Sequence, residues 1–188
     1  MHALEGLHHI TAITADAPRN VDFYARLLGL RFVKKTVNFD RPDVYHLYYA
    51  DEHGTPGSVL TFFEFPDAAR CRHGEGMPYS IAWRVASAEA LGFWSERLAE
   101  EGVATTRGED GSLEFADPED LEHVLIVDDV PDAPLVADAP DIPAEHALQG
   151  FAGVRAHGSR PGASAALLEA LGFAPTGAAS WELAGDQR

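Results

Sequence analysis

The stretch HHITAITADAPRNVDFYARLLG, residues 8–29, contains a pattern that recurs along the whole chain. Its first seven residues alternate in the manner of a β-strand. The rest predicts an amphipathic helix, because apolar residues recur there at helical spacing. These residues are Val21, Tyr24, Leu27 and Leu28. Asp16 is a candidate N-cap and Gly29 follows the last turn, so both ends of the helix are marked.

Three runs rich in β-branched and aromatic residues follow this helix, and turn-forming residues separate them. The runs are LRFVKKTVNF at 30–39, VYHLYYADE at 44–52 and GSVLTFFEFP at 57–66. A strand, a helix and three further strands make one βαβββ module.

The same order of elements returns twice. The second copy runs from YSIAWRV at 79–85 to EHVLIVDD at 122–129, with a helix over AEALGFWSERLAEEG at 88–102. The third has a strand at FAGVRAHG, a helix at GASAALLEALG and the start of a hairpin at SWELAGDQR. The glycines that end the three helices, Gly29, Gly102 and Gly172, stand 73 and then 70 residues apart. The repeat predicts an α+β fold of tandem modules with curved mixed sheets, the third module incomplete.

These modules suggest a division into domains. We predict a first domain over residues 1–129, in which two modules share one core. Residues 130–148, rich in proline and aspartate, predict an extended linker. Residues 149–188 are expected to begin a second domain.

The composition excludes several classes of function. A formal net charge of −16 disfavours nucleic acid and anionic membrane surfaces as partners. Cys71 is the single cysteine, so no disulfide within the chain is expected and no thiol chemistry is predicted. No basic, apolar leader and no apolar stretch of about eighteen residues occurs, which favours the cytoplasm.

Several of these stretches also resemble a known family. The first module, residues 6–66, with its HHIT opening, VKKTVNFD, YHLYYADEHGTPG and LTFF, is similar to ring-cleaving dioxygenases that open hydroquinones and related phenols. These enzymes lie within the vicinal-oxygen-chelate superfamily of glyoxalases, bleomycin resistance proteins and extradiol dioxygenases. The phrase IPAEHALQGF at 142–151 resembles the crossover between their halves. Members of that family have four modules, so the resemblance implies a truncated form.

The resemblance implies a chemistry and a set of residues. It implies non-haem Fe(II), with Mn(II) as an alternative, held by two histidines and one carboxylate. His9 would be one metal ligand, and the other two would come from a fourth module that has no counterpart in this sequence. His8 and Thr11 would support the ligand or orient the substrate. The implied partners are a small aromatic substrate and O2, a homo-oligomer is left open, and the context is catabolism of aromatic compounds.

The residues themselves allow a more limited interpretation of the site. Strand alternation places His9, Thr11 and Ile13 on one face and His8, Ile10 and Ala12 on the other. His9 can therefore point into a cup only if His8 points away or lies at a twist. From spacing alone, the two histidines could equally be a polar pair at a strand edge.

A complete second site within the first two modules is not predicted. The superfamily pattern would require a histidine near the start of the second module's first strand, where Ser80 and Tyr79 stand. It would also require a carboxylate near the end of each final strand, where Glu64 and Glu122 are possible ligands but are better explained as exposed acids on strand edges. The remaining histidines that we considered, His46, His53, His73, His146 and His157, receive no metal role.

Two alternatives from other classes remain open at this stage. One is a metal-free module that binds small molecules, as in the bleomycin-resistance branch. The aromatic residues from Tyr45 to Phe65 could line its pocket, or could simply be sheet core. The other is a glyoxalase-like lyase or isomerase, against which Ser80 argues.

Overall fold

The computed structural model describes residues 4–70, 72–128 and 130–185, so Cys71 lies outside the described residues. The first module has the predicted order of elements. The elements are β1 (His9–Thr14), α1 (Ala17–Val21), a π-helical turn (Asp22–Leu27), β2 (Arg31–Val37), β3 (Tyr45–Ala50) and β4 (Val59–Glu64).

The second and third modules repeat this order. The second contains β5 (Pro78–Val85), α2 (Ala88–Glu100), β6 (Thr106–Arg107), β7 (Leu113–Ala116) and β8 (Glu122–Val127). The third contains β9 (Phe151–Ala156), α3 (Gly162–Ala170), β10 (Ala174–Gly177) and β11 (Ser180–Glu182). The stretch SWELAGDQR was expected to open a hairpin. Its first residues instead form the second strand of a hairpin, β11, because β10 precedes them and pairs with them. No helix among the described residues is long and apolar enough to cross a bilayer.

The first helix begins and ends as its sequence indicates, but its middle is wider than an α-helix. The Asp16 carboxylate accepts a hydrogen bond from the Arg19 amide at 3.0 Å, and Gly29 has a φ of +70°. Between them, the Leu28 amide donates to the Phe23 carbonyl, the i to i−5 spacing of a π-helix. On the predicted apolar face, Tyr24, Leu27 and Leu28 are buried and Val21 is partly buried, and Tyr24 has no exposed surface.

The two sheets have the same strand order. The first is β1-β4-β3-β2, with β1 parallel to β4. The second contains β5-β8-β7-β6 in the corresponding order, with β5 parallel to β8. The registers also correspond, because His9 pairs with Val59 where Ser80 pairs with Glu122. Ser80 therefore occupies in the second module the position that His9 occupies in the first.

The third module begins inside the second sheet. Its strand β9, expected to open a separate domain, pairs antiparallel with the outer edge of β5. The corresponding edge of β1 has no strand beside it in the described part of the chain. The domain boundaries at 129 and 149 stay a prediction. The first strand after residue 149, β9, nevertheless belongs to the same sheet as the strands of the second module.

Residues 130–148, predicted to be an extended linker, contain no helix or strand among the residues described there. They nevertheless pack onto the core, where the side chains of Ile142 and Leu148 are buried. A side chain at Gly29 would overlap Ile142, so the end of the first helix and this segment fit closely together. The segment is therefore held on the body of the protein along part of its length.

The π-helical turn lies between the inner faces of the two sheets. The Tyr24 ring lies 4.7 Å from that of Phe62 in the first sheet and 5.7 Å from that of His123 in the second. A single apolar cluster includes the inner faces of both sheets, with Trp83 and Trp94 fully buried in it. The two modules therefore share one core, and the opposite face of the first sheet is turned outward.

A chain of buried hydrogen bonds crosses this core. The Tyr24 hydroxyl donates to Asp117 at 2.8 Å and lies 3.0 Å from Nε2 of His123. The Trp83 indole donates to Nδ1 of His123 at 3.1 Å. Because Nδ1 accepts, a neutral His123 carries its proton on Nε2 and donates it to the Tyr24 oxygen. The burial of this network raises the pKa of Asp117 and that of Tyr24.

This network makes the stability of the protein sensitive to acid. Burial lowers the pKa of His123 from 6.5 to about 3. Between these two pH values the imidazole of His123 binds a proton only in the unfolded chain. The free energy of unfolding therefore falls as the pH falls, by up to about 1.4 kcal/mol per pH unit. We expect the free energy of unfolding in urea to fall between pH 6.5 and 5, with the raised pKa of Asp117 offsetting part of the fall, and His123→Gln to reduce the slope. Equal slopes in both proteins would contradict the buried, neutral imidazole.

Candidate active site

The outer face of the first sheet carries the predicted site residues. Burial alternates along β1 as predicted: Ile10 and Ala12 pack against the core, whereas His9, Thr11 and Ile13 are exposed. Strand pairing extends this face across β4, β3 and β2. It carries His9, Thr11, Ile13, Lys34, His46, Tyr48, Thr61 and Phe63.

Polar and aromatic side chains contact one another across this outer face. The Thr61 hydroxyl donates to the Thr11 hydroxyl at 3.0 Å, so Thr11 has a fixed partner. The Nζ atom of Lys34 lies 4.4 Å from the centre of the Tyr48 ring, within the range of a cation-π contact. The face therefore offers hydroxyl, imidazole, ammonium and aromatic groups around one exposed strand.

His8 and His9 lie closer together than strand alternation predicts. Their Nδ1 atoms are 3.2 Å apart and their rings meet edge to face. Alternation allows His8 either to point away or to lie at a twist, and the pleat does not orient it here, because β1 begins at His9. Both imidazoles are exposed, and each can offer a nitrogen to the same region.

The described residues include exposed histidines that could bind a metal ion, but not the three ligands of a complete metal site. No three His, Cys, Asp or Glu side chains among them are placed to hold a metal ion together. His9 fits as one imidazole ligand, and the carboxylate that a facial triad needs is not beside it. Glu64, a candidate in the sequence, accepts a hydrogen bond from the Ala17 amide at 2.9 Å and so binds the start of the first helix.

The second module has no equivalent of His9. Ser80 in that position is 3% exposed. His123, next to the candidate Glu122, points into the core, where both its nitrogens have partners. That these two modules hold no complete site of their own stays a prediction.

His46 is a member of the outer face that sequence reasoning did not select. The Tyr48 hydroxyl is hydrogen-bonded with its Nδ1 at 2.8 Å, and its ring centre lies 4.0 Å from that of Phe63, with the two rings tilted by 32°. Its Nε2 is buried and has no hydrogen-bond partner among the described residues. Burial lowers the pKa of His46, and the nearby charges of Lys34 and His9 lower it further. The i, i+2 spacing of His46 and Tyr48 was the available signal, since alternate strand residues share a face.

The electrostatic influence of Lys34 on His46 can be measured. We expect Lys34→Met to raise the pKa of His46, because it removes a positive charge that disfavours the imidazolium form. Lys35→Met is the matched control, since Lys35 lies over Tyr45 instead, with its Nζ 3.8 Å from the ring centre. Imidazole resonances followed by NMR against pH would report both values. An equal shift in the two variants would show that the effect is not local.

Comparison with known proteins places this geometry in a family. A family model described as Glyoxalase/Bleomycin resistance protein/Dioxygenase superfamily matches residues 6–127. MhqA of Bacillus subtilis, named a ring-cleaving dioxygenase, is 45% identical over 67% of this chain and 41% of its own length. A chlorohydroquinone/hydroquinone 1,2-dioxygenase of Sphingobium indicum is 35% identical over 79% of this chain and 48% of its own.

A solved structure shows the same fold over nearly the whole chain. The crystal structure of a Bacillus subtilis protein titled as a dioxygenase superposes with a TM-score of 0.90 at 34% identity. The match covers 99% of this chain and 62% of that one. The chain spans about half the length of the curated relatives it matches. With a family model over most of its first two modules, the chain belongs to the glyoxalase, bleomycin resistance protein and dioxygenase superfamily.

Proposed function

We propose that this protein forms part of a ring-cleaving, extradiol-type dioxygenase of hydroquinone-like or catechol-like phenols that uses non-haem Fe(II). The observation that carries the proposal is His9, which is exposed on the outer face of β1 inside the region matched by the family model, in a chain similar to relatives named as dioxygenases. We further propose that the protein acts in the cytoplasm, in the catabolism of aromatic compounds.

The residues of the outer face have distinct roles in this proposal. His9 supplies one imidazole to the metal, which when bound would bring O2 and the phenol together. Thr11, fixed by Thr61, offers a hydroxyl to a substrate oxygen. Tyr48 and Phe63 present aromatic surface for the ring. The neighbouring Lys34 ammonium favours a phenolate over a neutral phenol by charge attraction.

The free edge of β1 suggests how the ligand set is completed. In the second sheet the corresponding edge, that of β5, pairs with β9 of another module. By the same arrangement, a further module that pairs with β1 would bring its own side chains beside His9. A longer form of the chain would supply that module. The outer face of the first sheet would then become the wall of an enclosed site.

Iron retention and oxygen uptake test this proposal. We expect the 188-residue chain to retain little iron after desalting, because one imidazole competes poorly with water and buffer. The same chain extended by the second-half modules of a relative should retain iron and consume O2 when hydroquinone is added. In that extended form, His9→Ala should abolish both, because the metal loses one of three ligands.

His53→Ala is the matched control, since His53 is exposed in a turn outside the outer face, and it should change neither iron content nor oxygen uptake. His8→Ala should leave most of the iron in place, because His8 supports rather than ligates in this account. An extended protein that keeps its iron without His9 and loses it without His8 would contradict the assignment of the ligand.

The lack of a full ligand set among the described residues supports one alternative, a metal-free module that binds small aromatic molecules. The same experiment separates the two functions. Hydroquinone binding by the extended protein, with neither iron nor oxygen uptake, would favour the binding module. Iron with phenol-dependent uptake would favour the dioxygenase.

A further inference from the structure

The turn between β3 and β4, residues 51–58, contacts two distant parts of the chain through one residue, Gly57. The Gly57 amide donates a hydrogen bond to the His8 carbonyl at 2.9 Å, and the Gly57 carbonyl accepts one from the Phe151 amide at 2.7 Å. His8 stands directly before β1, and Phe151 is the first residue of β9. The turn therefore joins the start of the strand that carries His9 to the first strand of the third module.

A buried carboxylate, that of Asp51, holds this turn in shape. Asp51 is 4% exposed, and its two carboxylate oxygens accept hydrogen bonds from the amide and the hydroxyl of Thr55, both at 2.7 Å. The Asp51 amide donates to the Ser58 hydroxyl oxygen at 3.1 Å, so the two ends of the turn are bound to each other. Burial raises the pKa of Asp51, but the hydrogen bonds from Thr55 and Ser58 lower it by more, and the net shift is downward. The carboxylate therefore stays ionised, and ionised acceptors form the stronger hydrogen bonds.

Close packing around Gly57 limits the positions that the turn can take. Gly57 has a φ of +95°, a conformation that residues with a side chain rarely adopt. A side chain at Gly150 would place its Cβ only 3.0 Å from the Gly57 carbonyl oxygen. The Glu52 amide, in the same turn, donates to the Val136 carbonyl at 3.0 Å. The position of Gly57 is thus set both by the shape of the turn and by the segments packed against it.

The hydrogen bond from Gly57 matters because the pleat of β1 does not orient His8. β1 begins at His9, which pairs with Val59 in the first step of its ladder with β4. The His8 carbonyl, outside the strand, is bound instead by the Gly57 amide. The imidazoles of His8 and His9 meet next to this bond, with 3.2 Å between their Nδ1 atoms. The turn therefore supplies a constraint on the two imidazoles that the strand alone does not.

We propose that Asp51 is a positioning residue for His8 and His9, because it holds the turn whose Gly57 amide binds the His8 carbonyl and so fixes where the two imidazoles point. Since Phe151 donates to the same Gly57, the first strand of the third module contributes to this position as well. The consequence for metal binding rests on the proposed function, in which His9 is a ligand. The effect on the two imidazoles does not depend on that function and can be measured without metal.

Amide hydrogen exchange of the metal-free 188-residue chain tests the first step of this proposal. Asp51→Ala removes the carboxylate to which Thr55 donates, so the turn should lose its fixed shape. We expect the amides of Gly57 and Phe151 to exchange about tenfold faster or more, since hydrogen bonds to charged groups stabilise by at least that factor. Amides in the middle of β4 should keep their protection, which would show that the sheet stays folded.

The imidazole nitrogen resonances of His8 and His9, followed by NMR, test the second step. Asp51→Ala should shift both sets, because the two rings lose their fixed separation. Asp51→Asn should restore most of the parent spectrum. Its amide oxygen still accepts from the Thr55 amide, and the Thr55 hydroxyl can turn to accept from its amide nitrogen.

Asp110→Ala is the matched control. Asp110 accepts from the Ser112 amide at 3.0 Å in a turn of the second module, so its loss should leave both imidazoles unchanged. Thr55→Val removes only one donor to Asp51 and should shift the imidazoles less, which keeps the test valid where Asp51→Ala does not fold. Imidazole resonances at their parent positions in a folded Asp51→Ala, or in Thr55→Val where Asp51→Ala does not fold, would overturn the proposal, as would an equal shift in Asp110→Ala. None of these results depends on iron, so they are separate from the test of the dioxygenase site.

Discussion

The position of Tyr24 between two sheets is the constraint on which the rest of the structure depends. Its ring contacts the inner face of the first sheet, and its hydroxyl bonds with Asp117 and His123 of the second module. Leaving any of these buried groups without its partner would cost about 1–3 kcal/mol. The wide π-helical turn brings Tyr24 and Phe23 into the core together. The network therefore fixes which face of each sheet is inside.

Because of this constraint, the face of the first sheet that carries His9 points outward, and the edge of β1 beside it has no strand paired with it among the described residues. The inner faces share one core, so the side chains that alternate with them on β1, β4 and β3 face outward. The second sheet has its first strand covered on both edges, because β8 and β9 flank β5. In the described residues the first sheet lacks such a flanking strand. An internal repeat with one edge paired and one edge free explains why His9, the proposed metal ligand, is exposed without further ligands beside it.

Much of this architecture follows from local sequence patterns. Alternation along HHITAIT predicts the face that carries His9, and the spacing of Tyr24 and Leu27 predicts the buried side of the helix. Alternation could not predict the contact of His8 with His9, because His8 precedes the strand and is not held by the pleat. Nor could it predict that β9 pairs with β5 or that His73 meets His157, because both depend on contacts between distant segments. The contact of His46 with Tyr48 could have been predicted from the sequence, since the two residues are two positions apart on one strand and therefore share a face.

The free edge of β1 is the central claim of this account, and amide hydrogen exchange measures it most directly. Amides of β1 that do not bond to β4 should exchange rapidly in this chain, whereas those of β5, bonded to β8 on one side and β9 on the other, should be protected. A free edge predicts this contrast between two strands that occupy equivalent positions in their modules. Equal, strong protection along both strands would contradict it, because some other segment or a second copy would then already occupy the edge of β1.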